Sequence, residues 1–223
     1  MRIVRTEQIE GARAARGVVV VIDVIRAFTT AAAALAWGAI EILLVDSPEA
    51  AFTLKKRIPD AFLMGEVGGF KVDGFDHGNS PAELPRDGVR GKRIIQCTGS
   101  GTRCAVAASG AEVLFVAGLS VAGATARAVG SASEVTLVAS MGSREGDDAV
   151  GDYLEGLLTG KPRPEQEIIR RVRESEAGRK VASGDFPQYP KADLDLCARV
   201  DAHDFAMRAR PEDGLLVARA IRP

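Results

Sequence analysis

The chain has 223 residues, of which 46% are apolar and 26% are charged, as is typical of a protein with a full hydrophobic core. Its 29 basic and 30 acidic residues give a formal net charge of −1, which excludes a general electrostatic attraction to nucleic acid or anionic membranes. No apolar run reaches the ~18 residues of a membrane span, and the N-terminus lacks the apolar segment of a signal peptide. The three cysteines have no CxxC spacing, which argues against a disulfide framework and a zinc site. We therefore expect a soluble cytoplasmic protein.

The hydrophobic pattern predicts strands that alternate with helices over the first 160 residues. Predicted strands cover 2–4, 18–25, 40–45, 61–64, 92–97, 112–116 and 134–139. Predicted helices cover 28–37, 48–57, 101–109, 120–129 and 147–159. Because unbroken β-branched runs suit strands that are buried on both faces, we predict a three-layer α/β/α fold with a largely parallel or mixed sheet.

The composition changes after Lys161, where two prolines interrupt the helical pattern. We predict a charged helix over 165–176, an irregular segment over 185–190, a helix over 192–200 and a final strand over 214–221, whereas 204–207 is ambiguous. No linker separates two domains, so residues 1–223 are expected to form one compact unit. The alternative is two intimately packed subdomains, about 1–90 and 91–223. Abundant small residues on the helices permit a homodimer without requiring one.

Three of the predicted strands end in short clusters of small polar residues. The clusters begin at Asp23, at Cys97 and at Ser140, and each leads into a predicted helix. In open α/β sheets the loops at the carboxyl ends of the strands form the crevice in which ligands bind. We therefore expect these three clusters to meet at one site, and their chemistry suits an anionic ligand together with a hard metal ion.

Asp23 is the most informative single residue, because a carboxylate at the end of an apolar strand is costly to bury unless it is paired, protonated or bound to a metal. One interpretation is a nucleophile for phosphoryl transfer or a ligand of Mg²⁺. The other is that Asp23 pairs with Arg26 or caps the following helix. Arg26 has two corresponding interpretations. It either binds a phosphate or sulfonate through two parallel hydrogen bonds or only neutralises the charge of Asp23.

The segment from Thr98 to Thr102 (Thr-Gly-Ser-Gly-Thr) lies where a strand meets a helix. Unpaired backbone N–H groups and the helix dipole favour an anion at such a point. Similar turns also join strands to helices without any ligand, and the segment lacks the lysine of a Walker A loop.

Several acidic residues complete the set of candidate metal ligands, namely Glu66, Asp73, Asp76, Asp147 and Asp148. A magnesium ion needs only one or two carboxylates besides substrate oxygens and water. Most of these acids are therefore expected to be solvated or to cap helices. A Ser-His-Asp hydrolase is excluded because the sequence contains no GxSxG motif.

Four segments resemble the 2-phosphosulfolactate phosphatase family. Residues 21–30 (VIDVIRAFTT) resemble its IDVLRATTT signature, and residues 65–69 (GEVGG) resemble its GERGG element. Residues 74–81 (GFDHGNSP) are close to its GFDxGNSP stretch, and residues 97–102 (CTGSGT) are similar to its TTxNGT. The turn at 140–142 and the acidic pair Asp147 and Asp148 also stand near corresponding elements, so that the matches run in order over about residues 17–160.

The resemblance implies a magnesium-dependent acid phosphatase that acts on 2-phospho-3-sulfolactate, on the route to coenzyme M, and that has a three-layer α/β/α fold. In that hypothesis Asp23 is the nucleophile or central metal ligand, Arg26 is the second catalytic residue, and Glu66 with Asp147 or Asp148 holds Mg²⁺. The substrate-binding residues are then Asn79, Ser80, Thr98, Ser100, Gly101 and Thr102.

The chain departs from the family pattern at two positions. Val67 stands where the family has an arginine, which removes a cation suited to a phosphate or sulfonate, and Ser100 stands in place of an asparagine-type residue. A second hypothesis is therefore a non-catalytic binding protein for an anionic metabolite. A third is a lyase or transferase on the same scaffold, because a fold does not fix a function.

Overall fold

A ten-stranded sheet forms the centre of this computed structural model, which describes residues 1–140 and 144–223. The strands are β1 (Arg2–Glu7), β2 (Gly17–Ile22), β3 (Glu41–Val45), β4 (Phe62–Val67), β5 (Phe70–Lys71), β6 (Arg93–Cys97), β7 (Ala111–Ala117), β8 (Glu134–Ala139), β9 (Ala206–Glu212) and β10 (Leu215–Ile221). The helices are α1 (Gln8–Ala14), α2 (Ala27–Ala36), α3 (Pro48–Arg57), α4 (Arg86–Val89), α5 (Gly101–Ala107), α6 (Ala122–Val129), α7 (Arg144–Thr159), α8 (Glu165–Glu174), α9 (Glu176–Ser183) and α10 (Lys191–Cys197). A 3₁₀ turn, Leu119–Val121, precedes α6.

The sheet has the strand order β1-β8-β2-β7-β9-β10-β3-β6-β4-β5 and contains two parallel blocks. In the first block β1, β8, β2 and β7 run parallel to one another, and in the second block β3, β6 and β4 do the same. The hairpin of β9 and β10 lies between the blocks and pairs antiparallel with β7 on one side and with β3 on the other. The strand direction reverses three times between the blocks, at the pairs β7–β9, β9–β10 and β10–β3. The second block therefore runs antiparallel to the first. The predicted α/β fold with a mixed sheet is confirmed.

Burial along the central strands shows that both faces of the sheet are covered. Residues 19–22 of β2, all of β3 and residues 135–139 of β8 are buried, although neighbouring side chains of a strand point to opposite faces. Helices α1 and α5 contact each other and the first-block strands, as do helices α6 and α7. Because helices cover both faces of the sheet, the sequences of these strands are continuous apolar runs.

The ends of β2 and β6 lie side by side although their blocks run in opposite directions. The amide Nε2 of Gln96 on β6 donates to the carbonyl of Ala27, at the start of α2, over 2.9 Å. A Cβ added to Gly101, at the start of α5, would lie 2.7 Å from Oδ2 of Asp23. Neighbouring strands rotate by roughly 20–25° relative to each other. This twist accumulates across the ten strands, so the two blocks do not lie in one plane. The ends of strands from both blocks can therefore converge.

Most predicted elements are present, with ends that differ by a few residues. The strand predicted over 18–25 ends at Ile22, because the chain turns through residues 24–26 before α2 begins. The ambiguous segment 204–207 contains the start of β9. The charged residues and the proline of this strand obscure the apolar pattern in the sequence, and the strand is defined by its pairing with β7 and β10. Helix α1 was not predicted because Ala12 is its one buried residue, which leaves no apolar stripe.

Strands from the two halves of the chain are interleaved in the sheet. β8 lies between β1 and β2, and β6 lies between β3 and β4, so a boundary near residue 90 corresponds to no break in the strand order. A single compact unit remains our prediction. In residues 1–140 and 144–223 we find no helix with the length and apolar character needed to cross a bilayer.

Candidate active site

A cavity of about 510 Å³ opens beside the ends of β2, β4 and β6. Five residues singled out by the sequence line it, namely Asp23, Arg26, Glu66, Asn79 and Ser100. The opposite wall comes from α9 and the segment after it, with Glu176, Lys180 and Tyr189 among its residues. The first two polar clusters therefore meet at one site. Of the third cluster, Ser140 contacts Asp23, whereas Met141, Gly142 and Ser143 lie outside the described residues.

Asp23 is linked to Asp147 through the hydroxyl of Ser140. Ser140 Oγ lies 3.0 Å from Oδ2 of Asp23 and 2.9 Å from Oδ2 of Asp147. Asp147 also accepts hydrogen bonds from the backbone N–H groups of Val24, at 2.8 Å, and Ser140, at 3.1 Å. One hydroxyl carries one proton, so Ser140 donates to a single carboxylate at a time, and the second contact requires a proton on the other carboxyl group.

Burial decides where that proton resides. Desolvation raises the pKa of Asp147 well above its ordinary value, and the nearby charge of Asp23 raises it further. Desolvation also raises the pKa of Asp23, to about 6, although hydrogen bonds from Ala27 N and Ser140 Oγ limit the increase. Of the two carboxyl groups Asp147 is therefore the one that holds the proton, which it donates to Ser140, and Ser140 donates to the ionised Asp23.

Asp23 also contacts the start of α2, as the capping interpretation expects. Its Oδ1 accepts a hydrogen bond from Ala27 N over 3.0 Å. The proposed pairing of Asp23 with Arg26 is wrong, because the ion pair of Arg26 is with Asp193, at 2.9 Å. Among the side chains that the structure describes, no cation forms an ion pair with Asp23 where it faces the cavity.

Glu66 and Asn79 add further oxygen donors to the same cavity. The two carboxylate oxygens of Glu66 accept hydrogen bonds from Gly99 N, at 2.8 Å, and from Gly69 N, at 2.5 Å. Oδ1 of Asn79 is buried and, among residues 1–140 and 144–223, has no hydrogen-bond partner. A buried amide oxygen without a partner beside two carboxylates is a donor set that a hard cation such as Mg²⁺ would satisfy.

The other two predicted metal ligands are not among the residues that line this cavity. Asp147 is fully buried behind Asp23, and its oxygens already accept hydrogen bonds from Val24 N and Ser140 N. Asp148 lines a different concavity, together with Arg171 and Ser175. Within the described part of the chain, no group of three or more His, Cys, Asp or Glu side chains is arranged to hold a metal ion. The donor set therefore reduces to Asp23, Glu66 and the amide oxygen of Asn79.

Arg26 is held in place by the C-terminal part of the chain. Its Nη1 donates to Oδ2 of Asp193, at 2.9 Å, and to the carbonyl of Gln188, at 2.8 Å. The guanidinium carbon lies 4.4 Å from the centroid of the Tyr189 ring. The side chains of Arg26 and Asp193 are 2% and 0% exposed, so this is a buried ion pair that fixes the guanidinium at the cavity wall.

Thr98 and Thr102 close the turn before α5, instead of lining the cavity. Thr98 N donates to Oγ1 of Thr102 over 2.8 Å, and Thr102 N donates to Oγ1 of Thr98 over 3.1 Å. Gly101 is buried against Asp23, where a side chain would collide with the carboxylate. Of this turn, Gly99 and Ser100 are the residues that line the cavity. Thr98, Gly101 and Thr102 thus have a structural role in the turn, and their contact with substrate stays a prediction.

The hydroxyl of Ser80 also forms its hydrogen bonds within the protein. Its hydroxyl donates to Oδ1 of Asp193 over 2.6 Å and accepts a hydrogen bond from Glu83 N. Asp193 therefore links the GFDHGNSP segment to α10 and Arg26, a role that the sequence analysis missed. The available signal was an acidic residue in the apolar pattern of the predicted helix 192–200.

Val67 lies beside the cavity, not in its lining. It is 52% exposed and pairs with Phe70 in the short hairpin of β4 and β5. A larger cavity, of about 570 Å³, is lined mainly by apolar residues between α3, α5 and the β9–β10 hairpin and contains none of the residues singled out by the sequence. The polar cavity is therefore the candidate active site.

The fold and the cavity define an α/β protein in which a buried arginine and hard oxygen donors surround one polar cavity. The chain belongs to the 2-phosphosulpholactate phosphatase family, whose model matches residues 3–211. This confirms the resemblance found in the sequence.

Three relatives carry the name "Probable 2-phosphosulfolactate phosphatase". The protein of Bacillus subtilis (strain 168) is 36% identical over 200 residues, which cover 87% of each chain. That of Carboxydothermus hydrogenoformans is 34% identical over 225 residues, or 92% of this chain and 91% of the relative. That of Deinococcus radiodurans is 42% identical over 145 residues, or 63% of this chain and 60% of the relative.

Proposed function

We propose that this protein is a magnesium-dependent phosphoric monoester hydrolase whose substrate is 2-phosphosulfolactate or a related 2-phospho hydroxy acid. Membership of the family and the names of its relatives support the reaction and the substrate class. The single observation that supports a bound metal ion is the buried Oδ1 of Asn79, which lacks a partner in the described chain and belongs to a residue that lines the cavity with Asp23 and Glu66.

Each residue of the cavity has a distinct task in this proposal. Asp23, Glu66 and Asn79 hold Mg²⁺, which when bound neutralises charge on the phosphoryl group. Arg26 donates to phosphate oxygens from a fixed position, because Asp193 and Gln188 hold its guanidinium. Gly99 and Ser100 form the wall that faces the phosphate. Protonated Asp147 keeps the hydroxyl of Ser140 directed at Asp23, which keeps that carboxylate ionised.

Phosphate release tests the proposal. Purified protein is incubated with Mg²⁺ and a panel of esters that includes 2-phosphosulfolactate, phosphoglycolate and other phosphorylated hydroxy acids, and released phosphate is measured. We expect release from at least one acidic ester, loss of release in excess chelator and recovery with Mg²⁺. Full release in excess chelator would exclude the metal role, and tight binding without any release would favour the non-catalytic binding protein.

A nucleophilic role for Asp23 remains the alternative within the same function. Attack by Asp23 on phosphorus would form an aspartyl phosphate, which water then hydrolyses. Quenching during turnover followed by reduction with borohydride distinguishes the two roles by mass spectrometry of the peptide that contains Asp23. Hydride attack on the acyl carbon of an aspartyl phosphate expels phosphate and converts Asp23 to homoserine, whereas direct attack by water leaves Asp23 unchanged.

A further inference from the structure

We propose that Lys180 on α9 binds a second anionic group of the substrate and thereby selects phosphate esters that carry another acid. The inference rests on the proposed phosphatase function, and it concerns a residue outside all four family-like segments of the sequence. It assigns to α9 the recognition of the part of the substrate that is not transferred.

Lys180 lies at the exposed wall of the cavity and forms no ion pair with any residue that the structure describes. It lines the cavity that also contains Asp23, Arg26 and Glu66. Its Nζ lies 4.7 Å from the centroid of the Tyr189 ring and 4.9 Å from that of Phe186. Two aromatic rings hold an ammonium group in place while they leave its hydrogen-bond donors available.

The obvious partner of Lys180 is not used. Glu176 lies four residues earlier on α9 and lines the same cavity, and a glutamate placed four residues before a lysine is the favourable order for a helical ion pair. In the described chain no carboxylate oxygen lies within 4.0 Å of Lys180 Nζ, whereas ten such ion pairs of arginines are present. The ammonium is directed to the rings and the cavity instead.

Tyr189 connects this outer cation to the inner one. Arg26 and Lys180 lie over the same ring, at 4.4 Å and 4.7 Å from its centroid, and both residues line the same cavity, so both cations are available to a molecule bound there. Tyr189 is packed on Gly69, where a Cβ would lie 1.9 Å from the phenol oxygen and where φ is +89°. Only glycine fits at that point, so the Gly68–Gly69 turn and the ring form a fixed edge of the cavity.

Charge assigns the two cations to different ends of the ligand. Arg26 is buried next to the oxygen donors, where the phosphate must lie, whereas Lys180 is exposed at the entrance. Asp23, Glu66 and Glu176 place three carboxylates around the same space, which repels a ligand with two acidic groups unless each group meets a cation. A phosphate ester with a sulfonate or carboxylate fits this arrangement, and an ester with a neutral tail gains nothing from Lys180.

The test compares Lys180→Met, Lys180→Arg and the control Arg179→Met, which removes a neighbouring cation that does not line the cavity. Phosphoglycolate serves as the acidic ester and ethyl phosphate as the neutral one, and both are measured by steady-state kinetics and by calorimetric binding with Mg²⁺. For Lys180→Met we expect KM and Kd for phosphoglycolate to rise roughly tenfold, which corresponds to one charge-assisted contact. Values for ethyl phosphate, and kcat for both esters, should change by less than about twofold. Lys180→Arg should restore most of the preference, and Arg179→Met should resemble the wild type.

The binding measurement separates this inference from the function on which it rests. If the wild type releases no phosphate but Lys180→Met weakens only the binding of phosphoglycolate, the hydrolase proposal fails and the role of Lys180 stands. Equal effects on both esters, no effect on either, or no binding of either ester by the wild type would each overturn the role of Lys180.

Discussion

Ser140 carries one hydroxyl proton between two buried carboxylates, and this fixes the protonation of the pair. The carboxyl group of Asp147 holds a proton and donates it in a hydrogen bond to Ser140. The hydroxyl of Ser140 in turn donates to Asp23, whose carboxylate stays ionised beside the cavity. The two neighbouring acids of the sequence, Asp147 and Asp148, thus have different surroundings and different roles. Asp147 supports Asp23 from behind, and Asp148 faces elsewhere.

Substitution of Asp147 tests this protonation. In Asp147→Asn the amide can accept from Val24 N and donate to Ser140, and Ser140 N keeps its bond to the carbonyl of Ile22. We expect the variant to fold and to lose little stability at pH 8. Asp147→Ala leaves Val24 N unsatisfied and should cost about 1–3 kcal/mol of the free energy of unfolding.

The pH dependence of that stability has a definite sign. The pKa of Asp147 in the folded protein is raised above its unfolded value, so the folded state binds the proton more tightly and the associated stability declines as pH rises above about 4. Denaturant unfolding at pH 5 and pH 8 should therefore show a larger loss in the wild type than in Asp147→Asn. Equal losses in the two proteins would contradict a protonated Asp147.

Asp23 is tested by Asp23→Asn, which retains the oxygen that accepts from Ala27 N but removes the charge. If Asp23 only caps α2, turnover stays near the wild-type value. We expect instead a folded protein, within about 1 kcal/mol of wild-type stability, with turnover reduced by about 100-fold or more. Phosphate release and thermal unfolding are measured on the same preparation, and a folded variant with intact turnover would refute the assignment.

At the scale of elements, α9 and α10 complete a cavity that β2, β4 and β6 only begin. α10 supplies Asp193, which holds Arg26 and also accepts from Ser80 Oγ and Ala82 N. α9 supplies the outer wall, and its N-terminus is capped by Ser175, whose hydroxyl accepts from Gly178 N over 3.1 Å. The C-terminal helices thus fix the positions of Arg26 and Ser80 from the N-terminal half.

Asp193→Ala should be among the most destabilising substitutions in the chain. Loss of the carboxylate leaves the buried charge of Arg26 without its partner, at a cost of about 3–5 kcal/mol. The matched control is Asp195→Ala on the same helix, because Asp195 is 71% exposed and its ion pair with Arg173 contributes about 1 kcal/mol or less. Denaturant unfolding compares the two variants, and equal losses would show that the buried pair has no special importance.

At the scale of the whole molecule, metal binding should depend on pH. The pKa of Asp23 is raised to about 6, so below this pH a proton occupies the carboxylate, and above it the buried charge needs a cation. We expect Mg²⁺ to raise the thermal unfolding temperature at pH 8 clearly more than at pH 5. Asp23→Asn serves as the control, and a magnesium effect of the same size in that variant would exclude Asp23 as a ligand.

The sequence alone predicted the α/β class and most strands and helices, because continuous apolar runs and helix periodicity are local signals. It also identified five residues that line the cavity, from Asp23 to Ser100, since polar residues directly after buried strands stand out against their surroundings. The family motifs pointed to the same segments. These features depend on residues that are close together in the chain.

Tertiary structure decided the rest. It determined that the two strand blocks run antiparallel yet end at one cavity, that Thr98, Thr102 and Ser80 bond internally, and that Asp147 and Asp148 separate. It also brought Asp193 to Arg26 across 167 positions of the chain and set Lys180 and Tyr189 at the entrance. No local pattern encodes such pairs, because the partner of a buried charge is fixed by which surfaces pack together to exclude water.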